Sequence, residues 1–226
     1  MAKVISTLSD CISYVNTLYE SDSVAPTAGD EDYTVWTGLI NVAINLWEGE
    51  EGMLWKELFV KLSSATTGDK TTVAGQTSYS APSDFRFPAS GYVWLGTGTT
   101  KESYKVIKAE EAQLYENSGD MWCYFLMGTT KTLEFNPNLD IEGGMTISYN
   151  YYKFATKLTT GTNVLEMSDP MFAVYYTLAE LKKEEGDTTA LSIVSQKLDA
   201  MKTLNIMPAY FQDDSLLDKV SDGFGV

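Results

Sequence analysis

Leu58-Phe59-Val60-Lys61-Leu62 marks the point at which the pattern of the chain changes. Leu58, Val60 and Leu62 alternate with Phe59 and Lys61, a period of two that suits a half-buried strand. Downstream, a polar turn from Ser63 to Lys70 leads into Thr71-Thr72-Val73-Ala74-Gly75-Gln76-Thr77-Ser78-Tyr79-Ser80. β-Branched residues on either side of Ala74-Gly75-Gln76 predict a hairpin closed at that turn. Pro82 and Pro88 then bracket Ser83-Asp84-Phe85-Arg86-Phe87. Proline has no N–H for a central ladder, so the sheet is expected to pause there. Strands are predicted again at Tyr92–Leu95, Tyr104–Ile107, Met121–Met127, Lys131–Phe135 and Met145–Tyr152, with a short helix at 109–117. Gly128-Thr129-Thr130, Asn136-Pro137-Asn138 and Gly143-Gly144 supply the turns between the later ones.

Toward the N-terminus the spacing is helical. Ile5, Leu8, Ile12, Val15 and Tyr19 recur every three or four residues, as do Tyr33, Trp36, Ile40, Ala43 and Trp47. Pro26 and Gly29 lie in the intervening loop, and Gly49 and Gly52 end the second helix. Toward the C-terminus, Asp169-Pro170 is a helix start, an acceptor side chain followed by a residue whose missing N–H costs nothing in the first turn. Phe172, Tyr175, Leu178 and Ala179 form its apolar stripe. Glu185-Gly186-Asp187 makes a tight bend into a second helix carrying Leu191, Val194, Leu198 and Met201, which Pro208 ends. The expected fold is therefore α+β: a helical bundle formed by N- and C-terminal helical hairpins, with an inserted small antiparallel β module. The expected boundaries are 1–52 and 161–208 for the two hairpins, 53–160 for the β-rich module and 209–226 for an extended tail.

Composition narrows the function. The chain holds 16 basic and 31 acidic residues, a net charge of −15, and Arg86 is its sole arginine. Tight nucleic-acid binding relies on Lys and Arg displacing counterions from phosphate, so sequence-specific DNA binding is not expected. There is no histidine, which removes Ser-His-Asp and Cys-His catalysis and every His-containing zinc site. Cys11 and Cys123 lie far apart in apolar surroundings and read as buried free thiols. Gly91, Gly96 and Gly98 form no phosphate loop followed by lysine. No apolar run approaches the ~20 residues that cross a bilayer, and Met1-Ala2-Lys3-Val4-Ile5 is unlike a signal peptide. No membrane partner is expected.

Several segments together resemble the head-to-tail adaptor (connector) proteins of tailed bacteriophages. They are Asn41-Val42-Ala43-Ile44-Asn45-Leu46-Trp47, Leu54-Trp55-Lys56-Glu57-Leu58, Thr71 to Tyr79, and Ala81-Pro82-Ser83-Asp84-Phe85-Arg86. Leu133-Glu134-Phe135-Asn136-Pro137 and Thr146-Ile147-Ser148-Tyr149-Asn150-Tyr151-Tyr152-Lys153 resemble the paired strands of the same proteins, and Glu185-Gly186-Asp187 the bend of their closing hairpin. The similarity runs from the second helix to Pro208, and the order of the segments carries it. The resemblance implies a virion structural protein in the neck: a ring of identical subunits, twelve to match the portal. Such a ring docks under the portal, contacts tail or neck proteins and lets double-stranded DNA pass without specific binding.

In that setting residues 1–60, with ten acids against Lys3 and Lys56, would form a surface from which DNA is repelled. Asp30, Glu31, Asp32, Glu48, Glu50 and Glu51 are the candidate channel-facing acids. They also suit a solvated face or the positive end of a helix, and they lack the spacing of a calcium loop. Phe211, Leu216, Leu217 and Phe224 in the acidic tail are candidate anchors for the portal or a neighbouring subunit. Tyr149-Tyr151 and Tyr152-Phe154 alternate along one strand and give it two aromatic faces, read as sheet packing or an interface rather than a base-stacking surface. No catalytic, cofactor-binding or metal residue is expected. Other readings are a neck stopper or tail-completion subunit, a tail or baseplate protein binding host carbohydrate, and a carboxylate-dependent wall hydrolase.

Overall fold

The computed structural model describes residues 6–21, 24–115, 119–183 and 188–205. Five α-helices lie within them: α1 (Leu8–Tyr19), α2 (Glu31–Glu48), α3 (Ala112–Tyr115), α4 (Met171–Leu181) and α5 (Thr189–Asn205). Nine strands accompany these: β1 (Phe59–Lys61), β2 (Ser78–Ser80), β3 (Phe85–Pro88), β4 (Tyr92–Leu95), β5 (Glu102–Val106), β6 (Trp122–Met127), β7 (Lys131–Phe135), β8 (Ile147–Ser148) and β9 (Asn150–Lys153). The chain divides into two compact units. One combines the N-terminal part up to Leu58 with the part resuming at Ala155, and the other contains the continuous stretch Phe59–Phe154.

In the first unit α1 begins at a reciprocal cap. Thr7 Oγ1 accepts the Asp10 N–H, and the Asp10 carboxylate accepts the Thr7 N–H, each at 3.2 Å. Two otherwise orphaned donors are thereby satisfied, a device typically worth about 1 kcal/mol. Leu8, Cys11, Ile12 and Val15 form the buried stripe of α1, and Trp36, Ile40, Ala43, Ile44 and Trp47 that of α2. The N–H of Gly49 bonds back to Asn45 O and closes α2. The central element is α4, which buries Phe172, Ala173, Val174, Thr177, Leu178 and Ala179 and packs against α1, α2 and α5. Apolar on nearly every side, it is a core helix. Asp169 holds its start, accepting from Met171 N at 3.1 Å and from Lys197 Nζ of α5 at 2.9 Å.

Residues far apart in sequence are tied together here by backbone-like pairing. Leu8 N donates to Asn163 O and Leu165 N to Ser6 O, each at 2.9 Å. The Asn41 amide copies a strand: Nδ2 donates to Leu158 O while Oδ1 accepts the Leu158 N–H, both at 2.9 Å. The return of the chain after the β strands is thus registered against α1 and α2 residue by residue.

The second unit is a mixed β half-barrel of two sheets. The smaller sheet has the order β1-β9-β3, and the larger β2-β7-β6-β5-β4-β8. All pairings but one are antiparallel; β5 and β6 run parallel, with Lys105 opposite Trp122 and Val106 opposite Cys123. That pairing requires a crossover, supplied by a 3-10 turn (Ala109–Glu111) and α3. The unit encloses its own core, in which Tyr79, Phe85, Tyr104, Phe135, Tyr149 and Tyr151 meet Leu62, Val93, Leu95, Cys123, Leu133 and Ile147. Phe85 lies in ring contact with Phe125 at 4.5 Å and with Tyr151 at 5.5 Å, and its edge meets Tyr149 at 6.2 Å.

The expected fold class is therefore corrected. The chain is mainly a mixed β half-barrel with five helices, not a helical bundle carrying a small antiparallel module. Three local misreadings explain the difference. The predicted hairpin at Ala74-Gly75-Gln76 has a real turn, with Gly75 at φ 71° and Gln76 N donating to Val73 O. Its arms, however, pair with different partners: Thr71 bridges Thr146, while Ser78–Ser80 pairs with Thr132–Glu134. The sheet does not pause between the prolines, because Phe85–Pro88 is an outermost strand of the small sheet, where a missing N–H is tolerated. The single strand predicted over Met145–Tyr152 is two, with Tyr149 as the pivot from the large sheet into the small one. Long-range pairing turns what look like separate local hairpins into one enclosed architecture.

Candidate interaction surfaces

The acidic candidates fall at the two ends of α2. Asp30 is its N-cap, and the carboxylate accepts the Thr27 N–H at 2.6 Å and Thr27 Oγ1 at 3.0 Å. These hydrogen bonds, the backbone one foremost, hold its pKa below the ordinary carboxylate value. Glu31 and Asp32 follow, exposed, in the first turn, where negative charge suits the helix dipole. At the other end Glu48 is buried, and its Oε2 accepts the Ala155 N–H at 3.0 Å. Glu50 pairs with Lys202 of α5, and Glu51 is exposed. The helix is 18 residues long, so the two clusters lie about 27 Å apart along its axis and do not form one site.

Between those ends runs a feature that the sequence reading missed. Val35, Val42 and Leu46 are 46%, 42% and 49% exposed, and Leu39, half-buried, completes a series at spacings of four, three and four. At 100° per residue the four lie within one narrow sector of the helix, roughly a third of a turn from the buried Trp36, Ile40 and Trp47. α2 is thus apolar on two adjacent faces, one buried and the other largely exposed. Tyr14 and Leu18 of α1 and Leu191 and Leu204 of α5 are also exposed. The signal was legible in the spacing, but the two tryptophans claimed the helix for the core and hid the second stripe.

The two aromatic faces of the last strand behave differently. Tyr149 and Tyr151 are core residues, whereas Tyr152 is half-buried and Phe154 exposed. Burial is the leading cause that pushes the Tyr149 and Tyr151 phenols above the ordinary tyrosine value, and for Tyr151 a hydrogen bond to Asp84 at 2.9 Å adds to it. Trp36 and Trp47 are core anchors, and Trp55 Nε1 donates to Trp47 O at 2.5 Å. Both cysteines are free and buried; burial pushes the Cys11 thiol up to about 12 and raises that of Cys123 as well.

An open depression of about 300 Å³ lies in the β unit, lined by Lys61, Trp94, Lys101 and Asn150 among others. Among the described residues no group of three or more His, Cys, Asp or Glu side chains is placed to hold a metal ion. No described helix is long and apolar enough to cross a membrane. The tail anchors Phe211, Leu216, Leu217 and Phe224, and the Glu185-Gly186-Asp187 bend, lie outside the described residues. No protein-family model matches the chain, and no curated protein matches its sequence.

Proposed function

We propose that the chain is a virion structural protein, a subunit of the head-to-tail adaptor ring that docks under the portal of a tailed bacteriophage. Its function is mechanical: to extend the DNA channel, join head to tail, and help retain and then release the genome. No residue is assigned to catalysis, and no cofactor or metal is required. The observation that carries this reading is the apolar stripe on α2, with Val35, Val42 and Leu46 exposed and Leu39 half-buried, bounded at both ends by carboxylates. An apolar stripe on a folded surface is the usual mark of a protein contact. Repeated around a ring, one such stripe per subunit meets a different patch on the next, a head-to-tail contact that closes when the rotation permits. The net charge of −15 fits a surface that duplex DNA passes without adhering.

The mass of the purified chain, alone and mixed with portal protein, tests the proposal, followed by electron microscopy of the mixture. The expected outcome is a monomer or weak oligomer that becomes a ring on the portal. A chain that ignores the portal and forms its own trimers would count for a second reading, a tail or baseplate protein binding host carbohydrate. Half-buried Trp94 beside the depression favours that alternative, since sugar faces pack on indole rings.

A further inference from the structure

The small sheet carries, on the side away from its core, a row of rings and cations unlike the rest of this acidic chain. In register across β1-β9-β3, Phe59 stands opposite Tyr152, and Tyr152 opposite Phe87, with ring centroids 5.8 and 5.2 Å apart. The register of β3 shifts at Arg86, the sole arginine, whose guanidinium sits 5.3 Å from the Phe87 centroid and 6.0 Å from that of Phe154. From β7 of the large sheet, Lys131 Nζ donates to Ser83 O at 2.6 Å and lies 4.7 Å from the Phe154 centroid. Phe59 and Phe154 are 40% and 43% exposed. Asp84, the adjacent acid, accepts from the Tyr151 hydroxyl. The result is an extended strip of aromatic surface edged by positive charge, on a protein whose net charge is −15.

One segment of the same chain has the complementary chemistry. Residues 206–226 contain Asp213, Asp214, Asp218 and Asp222 against Lys219 alone, interleaved with Phe211, Leu216, Leu217 and Phe224. We propose that this acidic, aromatic C-terminal segment docks on the Phe59–Tyr152–Phe87 strip of its own β unit, its aspartates beside Arg86 and Lys131. Reach is not limiting. Twenty-one residues span up to about 70 Å, against a radius of gyration of about 13 Å for a unit of about 100 residues. Attachment to the same chain presents the segment at an effective concentration of about a millimolar, which favours docking within one molecule over capture from another at micromolar protein. The charge pairs are largely exposed, so they set orientation and salt sensitivity, while the ring contacts supply the apolar burial. This inference is independent of the adaptor reading and assigns the tail a partner other than the portal.

The test uses the full chain with the photoreactive residue p-benzoylphenylalanine in place of Phe211 or, separately, of Phe224. Irradiation at micromolar protein, followed by peptide mass mapping, locates the contacts. Adducts on segments 59–61, 85–88 or 150–154 at the mass of one chain are expected. Their yield should fall several-fold in the Asp213→Lys, Asp214→Lys variant and recover when Arg86→Glu is added. Adducts elsewhere, a product of doubled mass that grows with concentration, no adduct from either position, or a yield indifferent to the charge reversals would each overturn the proposal.

Discussion

Tyr104, Tyr149 and Tyr151 bring three phenols into or against the β core, and burial raises the pKa of each above the ordinary tyrosine value. For Tyr104 the neighbouring Glu102, which accepts its hydroxyl at 3.1 Å, raises it further. A group whose folded pKa is raised contributes stability that is complete below its unfolded pKa and is lost as pH rises. Stability should therefore be insensitive to these groups up to about pH 10 and fall above it. Absorbance titration at 295 nm should show the exposed tyrosines ionising smoothly, then a cooperative step as the β unit opens. A single smooth transition for all fourteen would refute the assignment. At this scale much was readable in advance. The tryptophans on α2 and both thiols were expected inside, because large apolar side chains at helical spacing and cysteines in apolar runs have few other places to go. Asp169 was readable as the acceptor at the start of α4, but its pairing with Lys197 and the role of Asn41 were not, since such contacts depend on distant parts of the chain.

Among the elements, α2 carries a buried face and an exposed apolar face, the second of which is the proposed assembly contact. Trp47→Ala would empty a fully buried site and should cost about 3–5 kcal/mol in a denaturant melt. Val42→Lys with Leu46→Lys alters only exposed positions and should leave stability within about 0.5 kcal/mol per site. The double variant should nonetheless fail to form rings on the portal by size-exclusion chromatography with light scattering. Full assembly would remove the stripe from the interface. The Tyr92–Leu95 and Lys131–Phe135 strands were expected with the bounds the structure has, since both are short apolar-aromatic runs between clear turns. The Thr71–Ser80 hairpin failed because threonine-rich arms announce strand but not partner, and the arms pair separately, Thr71 with Thr146 and Ser78–Ser80 with Thr132–Glu134. The division of Met145–Tyr152 into two strands was hidden because Tyr149 and Tyr151 are both core residues, so the alternation continues through the pivot.

For the whole molecule, the sequence displayed a helical start, a β-rich middle and a helical end, but not which of them dominates. Composition along the chain cannot show that the middle closes on its own core through a parallel β5–β6 pair, since that depends on which strands meet. The acidic candidates illustrate the same limit. They cluster in sequence as two groups, yet α2 holds those groups a full helix length apart.

The discontinuous build of the helical unit also has a consequence for biosynthesis. The β unit's described strands all lie within Phe59–Phe154, so they emerge from the ribosome as one uninterrupted piece. The helical unit cannot close until Leu158, Asn163 and Leu165 arrive to meet Asn41, Leu8 and Ser6, and until α4 follows to fill its centre. Nascent chains arrested with about 40 residues beyond Phe154, enough to clear an exit tunnel, should already carry a protease-resistant β fragment while α1 and α2 are still digested. α1 and α2, made before the β unit, are then among the last elements to find their places, and during translation they wait with Trp36 and Trp47 uncovered, the interval in which a nascent chain is most exposed to aggregation and chaperone capture.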